Sequence, residues 1–270
     1  MNSSLPFWLL WGVAAGFCWG PLIAWAIRSW PGHETLVPEY LGCPHCASGL
    51  RRGCCNSGQT QDRLYAIASG LIAAFSVWYF GMGMKALLSW VFSVSCLIIT
   101  VVDIRFLIIP DSLSINGCYA GLLYAVACHL LWRLSLPLPD FYVPLQESFL
   151  GFLLGGGFLW GLGWLAWLIL KKEGMGGGDV KLLAAMGAWL GWKPVLGTIV
   201  LASLFGSAGG VLGILYQRVR YGKKYQPLSH MIPFGPYLCL GFLLIFFLGM
   251  EPLYGIFDAY QRWLEGRLYH

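Results

Sequence analysis

The sequence has few charged residues. Only 11% of its 270 residues are Asp, Glu, Lys or Arg, whereas 58% are hydrophobic. A soluble domain usually carries about 25% charged residues. This shortage of charge leaves too little polar surface to coat a water-soluble protein of this length, and it excludes an ordinary globular enzyme.

Acids and metal-binding motifs are also scarce. The chain has 12 Asp and Glu residues, and its 5 histidines show no HExxH-type spacing. No Ser or Cys nucleophile constellation is evident. No basic stretch precedes the first apolar segment, residues 6–27, so we expect that segment to be a membrane span and not a cleavable signal peptide.

Long apolar segments fill most of the chain. A helix rises about 1.5 Å per residue, so roughly 20 apolar residues cross a bilayer core. The pattern predicts an all-α, polytopic transmembrane bundle of about eight helices, since open sheets would leave backbone groups unpaired in lipid. The predicted spans are residues 6–27, 64–82, 87–102, 113–131, 149–170, 195–216 and 232–248, with a shorter eighth over 182–190, and residues 251–270 form a tail.

Basic residues give the expected orientation. With eight spans, twelve of the 17 Lys and Arg residues fall in one set of loops. Loops rich in Lys and Arg stay in the cytoplasm. We therefore expect both termini on the periplasmic side, and Asp103 and Asp179 on the cytoplasmic side.

Two aspartates lie at the edges of apolar segments. Asp103 ends the run 91–102, and Asp179 follows the glycine-rich residues 174–178. A carboxylate at such a position is costly, which indicates function. Two carboxylates held close together share a proton and can activate water. We predict that Asp103 and Asp179 meet as a catalytic pair; the alternative is that each caps a helix end.

Three neighbouring features complete the predicted site. Asp111 is a rival catalytic acid, but its place at the start of a helix favours an N-cap. Lys181 is either a charge partner or a marker of the membrane edge, and we favour snorkelling to that edge. Glycine lets another chain approach closely, so a substrate backbone is expected beside three residues. They are Gly176, Gly177 and Gly178.

Three motifs resemble those of the type IV prepilin peptidases, the GxGD class of intramembrane aspartic proteases. They are VDIRFLIIPD at residues 102–111, GMGGGDVKLLAA at 174–185 and IPFGP at 232–236. Residues 16–31 resemble the family's N-terminal segment in a diverged form. The resemblance implies an enzyme of the bacterial inner membrane that uses Asp103 and Asp179 without a cofactor. Its partners would be the lipid bilayer and its substrates, with no nucleic acid.

The implied substrates are type IV prepilins or type II secretion pseudopilins, cut after the basic leader at the cytoplasmic face. Many members also methylate the new N-terminus with S-adenosylmethionine. The family commonly has an acidic residue early in its second helix, and residues 63–68 have none. This departure leaves methyltransferase activity open.

A cysteine-rich loop separates the first span from the rest. Cytoplasmic thiols stay reduced, so a C-x2-C pair followed by two adjacent cysteines favours a structural zinc site over disulfides. Ordinary surface thiols are the alternative. The predicted ligands are Cys43, Cys46, Cys54 and Cys55. We expect residues 1–63 to hold this loop and the first span, and residues 64–270 to form the peptidase core.

Two other functions fit the same composition. A transporter or channel with two intramembrane acids also uses broken helices and glycine-rich segments, but it holds its site near the bilayer midplane. A structural subunit of a secretion assembly that has lost activity is the third possibility.

Overall fold

The computed structural model describes residues 56–171, 176–221 and 233–268, together with Ala14 and Ile23. Within these ranges the chain forms eight α-helices and no strand, which confirms the predicted all-α class. The predicted first span and the cysteine loop lie outside the described residues. The helices are α1 Asn56–Phe80, α2 Met84–Phe106, α3 Asp111–Arg133, α4 Leu145–Leu170, α5 Gly177–Leu190, α6 Trp192–Tyr221, α7 Gly235–Leu248 and α8 Glu251–Leu268.

Five of these helices are long and apolar enough to cross a membrane. The candidate spans are Arg63–Phe80, Met84–Phe106, Asp111–Arg133, Leu145–Ile169 and Trp192–Tyr216. Helices α7 and α8 pass the same test only as a pair, and they meet at an angle of 94°. Helix α5, with 14 residues, is shorter than any of the five. The described chain is therefore a multi-pass helical membrane protein.

The structure adds one helix that the apolar segments did not predict. The expected tail contains α8, which has 18 residues. Its apolar side chains recur every three or four positions, as at Leu253, Phe257 and Tyr260. A helix with one polar face has a low average hydrophobicity. A search for apolar runs therefore misses it, whereas the spacing of its side chains would have found it.

The chain divides into two compact units, residues 1–101 and 102–270, with the boundary inside α2. In the first unit, α1 and α2 are joined by polar side chains. The hydroxyls of Ser76 and Ser89 lie 2.9 Å apart, and Trp90 Nε1 donates to Ser69 Oγ over 3.3 Å. Such hydrogen bonds hold helices together in lipid. The second unit contains the end of α2 and helices α3 to α8, and the predicted division after residue 63 stays a prediction.

Helix α5 forms the buried centre of the second unit. All of its residues from Leu182 to Ala188 are buried. Its backbone contacts that of α4, because a Cβ added to Gly187 would overlap the carbonyl of Gly151, and the reverse substitution would overlap equally. Ser148 Oγ on α4 also donates to the carbonyl of Ala188 over 2.6 Å. Small residues thus allow the two helices to pack backbone against backbone along this contact.

Helix α3 packs on α5 in the same manner. Trp189 Nε1 donates to the carbonyl of Gly117 over 3.0 Å. A Cβ on Gly121 would lie 2.9 Å from the Cβ of Ala188. Contacts at successive turns run in the same chain direction on both helices, so α3 and α5 are parallel. Their first residues therefore lie at one end of the bundle.

We expect Gly151→Ala to destabilise the protein. The new methyl group would overlap the carbonyl of Gly187, and overpacking of a tight core costs roughly 1–3 kcal/mol. Gly157→Ala on the same helix is the matched control, because its Cβ would meet nothing within 4 Å. The thermal unfolding midpoint in detergent should fall by several degrees for Gly151→Ala and stay unchanged or rise for Gly157→Ala. Equal midpoints would contradict the close backbone contact.

Candidate active site

The end of α2 carries the first predicted acid. Asp103 lies in the last turn, and the N–H of Leu107 donates to its backbone carbonyl over 2.8 Å. Leu107 has a φ of 56°, a left-handed conformation that ends the helix. The chain then passes through Ile109 to Pro110, which is the N-cap of α3.

The Asp103 side chain is buried and hydrogen-bonded. Its exposed fraction is 5%, and its Oδ2 accepts the backbone N–H of Gly235 over 3.0 Å. Gly235 is the first residue of α7, and a helix N-terminus stabilises a negative charge. A Cβ on Gly235 would lie 2.6 Å from Oδ2, so this approach requires glycine.

The second acid, Asp179, lies in the first turn of α5. The N-cap of that helix is Gly176, whose carbonyl accepts the N–H of Asp179 over 3.2 Å. Asp179 is therefore inside the helix and is not its N-cap. Burial raises the pKa of the Asp179 carboxyl to about 6, and the negative charge of Asp103 adds to the rise. The two predicted acids lie within electrostatic range of each other.

One apolar side chain lies beside the glycine neighbours of both acids. Ile109 is buried, and its Cβ would lie 2.9 Å from a Cβ placed on Gly178. Its Cδ1 would lie 3.3 Å from a Cβ placed on Gly235. Ile109 therefore packs against the residue before Asp179 and against the residue that donates to Asp103.

The three glycines of the predicted substrate site have different surroundings. Ile109 occupies the space beside Gly178. A Cβ on Gly177 would meet nothing within 4 Å, and one on Gly176 would lie 3.4 Å from Asp179 Oδ2. Open space next to the acid is thus found at Gly177. The substrate role of the glycines stays a prediction.

The structure corrects two expectations about neighbouring charges. Asp111 is the first residue of α3, and no side chain caps that helix, whose N-cap is Pro110. The predicted N-cap at Asp111 is therefore wrong. Lys181 does not simply snorkel, because its Nζ lies 2.7 Å and 2.9 Å from the two carboxylate oxygens of Asp111. The two residues are partners in an ion pair.

The predicted zinc ligands cannot be placed, because they lie outside the described residues. In the part of the chain that the structure describes, no group of three or more His, Cys, Asp and Glu side chains is arranged to hold a metal. The zinc site at Cys43, Cys46, Cys54 and Cys55 stays a prediction.

Two residues of the site were missed by reasoning from side-chain chemistry. Gly235 acts through its backbone, and the only signal for it was its place in the IPFGP motif. Ile109 is one apolar residue among many, so its position between the acidic segments had no signal in the sequence.

These features define a class: a helical membrane protein with two coupled carboxyl groups at one end of its bundle. Comparison with known proteins gives the family. Residues 90–211 match the type IV leader peptidase family. No solved structure matches the chain.

Several relatives carry the name prepilin leader peptidase/N-methyltransferase. One from Burkholderia pseudomallei strain 1026b is 32% identical over 84% of this chain and 72% of its own length. One from Stutzerimonas stutzeri is 32% identical over 76% of this chain and 71% of its own length. One from Pseudomonas aeruginosa is 34% identical over 79% of this chain and 65% of its own length. The chain belongs to the type IV leader peptidase family, and the transporter alternative is not favoured.

We expect Asp179→Asn to stabilise the folded protein at neutral pH. The Asp179 carboxyl has a higher pKa in the folded state than in the unfolded state, so the folded protein binds its proton more tightly. The free energy of unfolding therefore falls as the pH rises from about 4 to above 6. The pKa of about 6, against 3.8 for a free side chain, limits the effect to roughly 3 kcal/mol.

The measurement is the melting temperature of Asp179→Asn and parent protein between about pH 4 and pH 8. The advantage of the variant should grow as the pH rises through 6 and then level off. The control is Asp258→Asn, which changes an exposed acid on α8. A variant that melts below the parent at pH 8 would show that Asp179 is not held in an unfavourable environment.

Proposed function

We propose that this chain is a membrane-embedded aspartic endopeptidase. Its reaction would be removal of the basic leader peptide from type IV prepilins or type II secretion pseudopilins. The observation that carries the proposal is the electrostatic coupling of Asp179 to Asp103. The relatives' printed names support the substrate class.

The two acids have unequal environments. Asp103 is buried, which opposes ionisation, but it accepts the N–H of Gly235 at the start of α7, and this contact stabilises its anion. No hydrogen bond from the described residues reaches the Asp179 carboxyl, whose pKa is raised to about 6. The pair titrates as a unit, and we place the proton of its singly protonated form on Asp179.

This distribution gives each acid a role in hydrolysis. Asp103 takes a proton from a water molecule as the water oxygen attacks the scissile carbonyl carbon. Asp179 gives its proton to the carbonyl oxygen. Collapse of the tetrahedral intermediate returns that proton to Asp179. Asp103 then passes its proton to the leaving nitrogen as the C–N bond breaks, which restores the starting state.

The glycines beside Asp179 provide a path for the substrate backbone. Gly176 and Gly177 are exposed at the start of α5, and a side chain at Gly177 would point into open space. An extended peptide passing there would bring its carbonyl to Asp179. The apolar helix of the substrate would remain in the lipid.

The proposed location is the bacterial inner membrane, with the site on the cytoplasmic face and both termini in the periplasm. The end of the bundle that carries the acids also carries Arg105, Lys171 and Lys181. Basic residues favour the cytoplasmic side. The placement of the termini rests on the eight predicted spans.

Cofactors are proposed only outside the peptidase step. The relatives' name includes N-methyltransferase, for which S-adenosylmethionine would supply the methyl group. For zinc, the proposed ligands stay the four cysteines of the N-terminal loop. The hydrolysis described above uses the side chains of this chain alone.

We expect Asp103→Asn and Asp179→Asn each to abolish cleavage of a co-expressed prepilin from Pseudomonas aeruginosa. Loss of an acid–base group costs about a hundredfold to ten-thousandfold in rate. Immunoblots of prepilin and mature pilin measure the cleavage, and the amount of enzyme in membranes is the control. Cleavage by either variant at the parent rate would remove that acid from the mechanism.

The same assay reports methylation. Mass spectrometry of the mature pilin distinguishes a free N-terminus from a methylated one. A methylated product made by this chain, in cells without another methyltransferase of this type, would establish the second activity. A free N-terminus would limit the chain to peptidase activity.

We also expect Gly235→Ala to slow cleavage by on the order of a hundredfold, since a small displacement of a catalytic group has an effect of that size. The new methyl group would displace the Asp103 carboxylate from its N–H donor. Gly255→Ala on α8 is the control, because its Cβ would meet nothing within 4 Å. Parent-like cleavage by Gly235→Ala would show that the hydrogen bond to Asp103 is dispensable.

A further inference from the structure

One ion pair connects the two segments that carry the acids. Lys181 Nζ lies within hydrogen-bonding distance of both carboxylate oxygens of Asp111, at 2.7 Å and 2.9 Å, although the residues are 70 positions apart in the chain. Their side chains are 42% and 47% exposed. A half-exposed pair contributes little to overall stability, so stability alone does not account for it.

The positions of the two residues indicate another use. Asp111 begins α3 and is joined to Asp103 by the short connection that contains Ile109. Lys181 lies in α5, two residues after Asp179. Each member of the ion pair therefore follows one of the acids closely along the chain. The contact between them fixes the start of α5 against the end of the α2–α3 connection.

Other contacts at the same level tie α3 to α5. Cys118 Sγ lies 3.6 Å from the carbonyl oxygen of Lys181, to which it donates. A Cβ on Gly117 would lie 3.3 Å from the Cβ of Ala185. These contacts are a weak S–H hydrogen bond and a van der Waals contact, whereas the ion pair is charged and reaches the first residue of α3.

We propose that Asp111 and Lys181 are positioning residues of the peptidase site. Their ion pair sets the distance and direction of Asp179 relative to Asp103, and Asp111 exchanges no proton with the substrate. This inference rests on the proposed function. It differs from the rival assignment of Asp111 as a catalytic acid, in which its carboxyl group would be required and Lys181 would only adjust its ionisation.

The test compares five purified proteins in cleavage of the same Pseudomonas aeruginosa prepilin. They are the parent, Asp111→Asn, Lys181→Met, the double variant Asp111→Asn/Lys181→Met, and the exchanged pair Asp111→Lys/Lys181→Asp. We expect each single variant to lower kcat by on the order of tenfold or more, with KM changed by less than about twofold, because misplacement affects the reacting geometry.

The remaining two proteins decide the assignment. The double variant should be no slower than either single one, since both remove the same contact. The exchanged pair should recover most of the lost kcat, although it has no carboxylate at position 111. Melting temperatures of all five proteins, measured in the same detergent, should agree within a few degrees, which separates positioning from general destabilisation.

Three results would overturn the inference. One is an exchanged pair as slow as the single variants, another is single variants with the parent kcat, and the third is a loss of rate that follows the melting temperature. Asp103→Asn is assayed alongside to test the proposed function separately. If Asp103→Asn still cleaves prepilin, the proposed peptidase mechanism is wrong. If Asp103→Asn is inactive and the exchanged pair does not recover kcat, only the positioning role is wrong.

Discussion

The backbone contact between α4 and α5 is the constraint on which the site depends. Helix α5 is too short to be held by lipid on its own, and its middle is entirely buried. Lipid supplies no hydrophobic drive for helix association, so close packing of small residues has to supply the attraction. Gly151 and Gly187 allow it by bringing the two backbones together. With the body of α5 fixed, its first turn, which carries Asp179, is held at the same end of the bundle as the start of α3.

Two acids placed in such surroundings cannot both be ionised at low cost. The structure treats them differently. Asp103 is the more deeply buried and has a backbone donor from a helix start, whereas Asp179 lies among glycines at the start of its own helix. Ile109 packs beside Gly178, which precedes Asp179, and beside Gly235, which donates to Asp103. In the proposed mechanism, these unequal environments, and not the aspartates as such, make one group a base and the other an acid.

The sequence was sufficient for the features that depend on local composition. Apolar segments of span length predicted the helices, and two acids at segment edges indicated a coupled pair. It was insufficient where a contact joins distant segments. Asp111 has the position of an N-cap, but its partner is Lys181 on another helix. The N-cap preference is worth only about 1 kcal/mol, so it is a weak signal, and the sequence gives no sign of a partner on another helix. The role of Gly235 was equally hidden, because it donates through its backbone N–H and lies 132 positions from Asp103 in the chain.

The location of the acids at one end of the bundle also explains why hydrolysis is compatible with this architecture. Hydrolysis consumes water, so the proposed site needs access to an aqueous phase. At this end of the bundle, the side chains of Asp111 and Lys181 are half-exposed. Asp103, by contrast, is only 5% exposed. A low-dielectric environment strengthens the coupling between the carboxyl groups. The burial of Asp103 therefore favours the strong interaction that a shared proton requires.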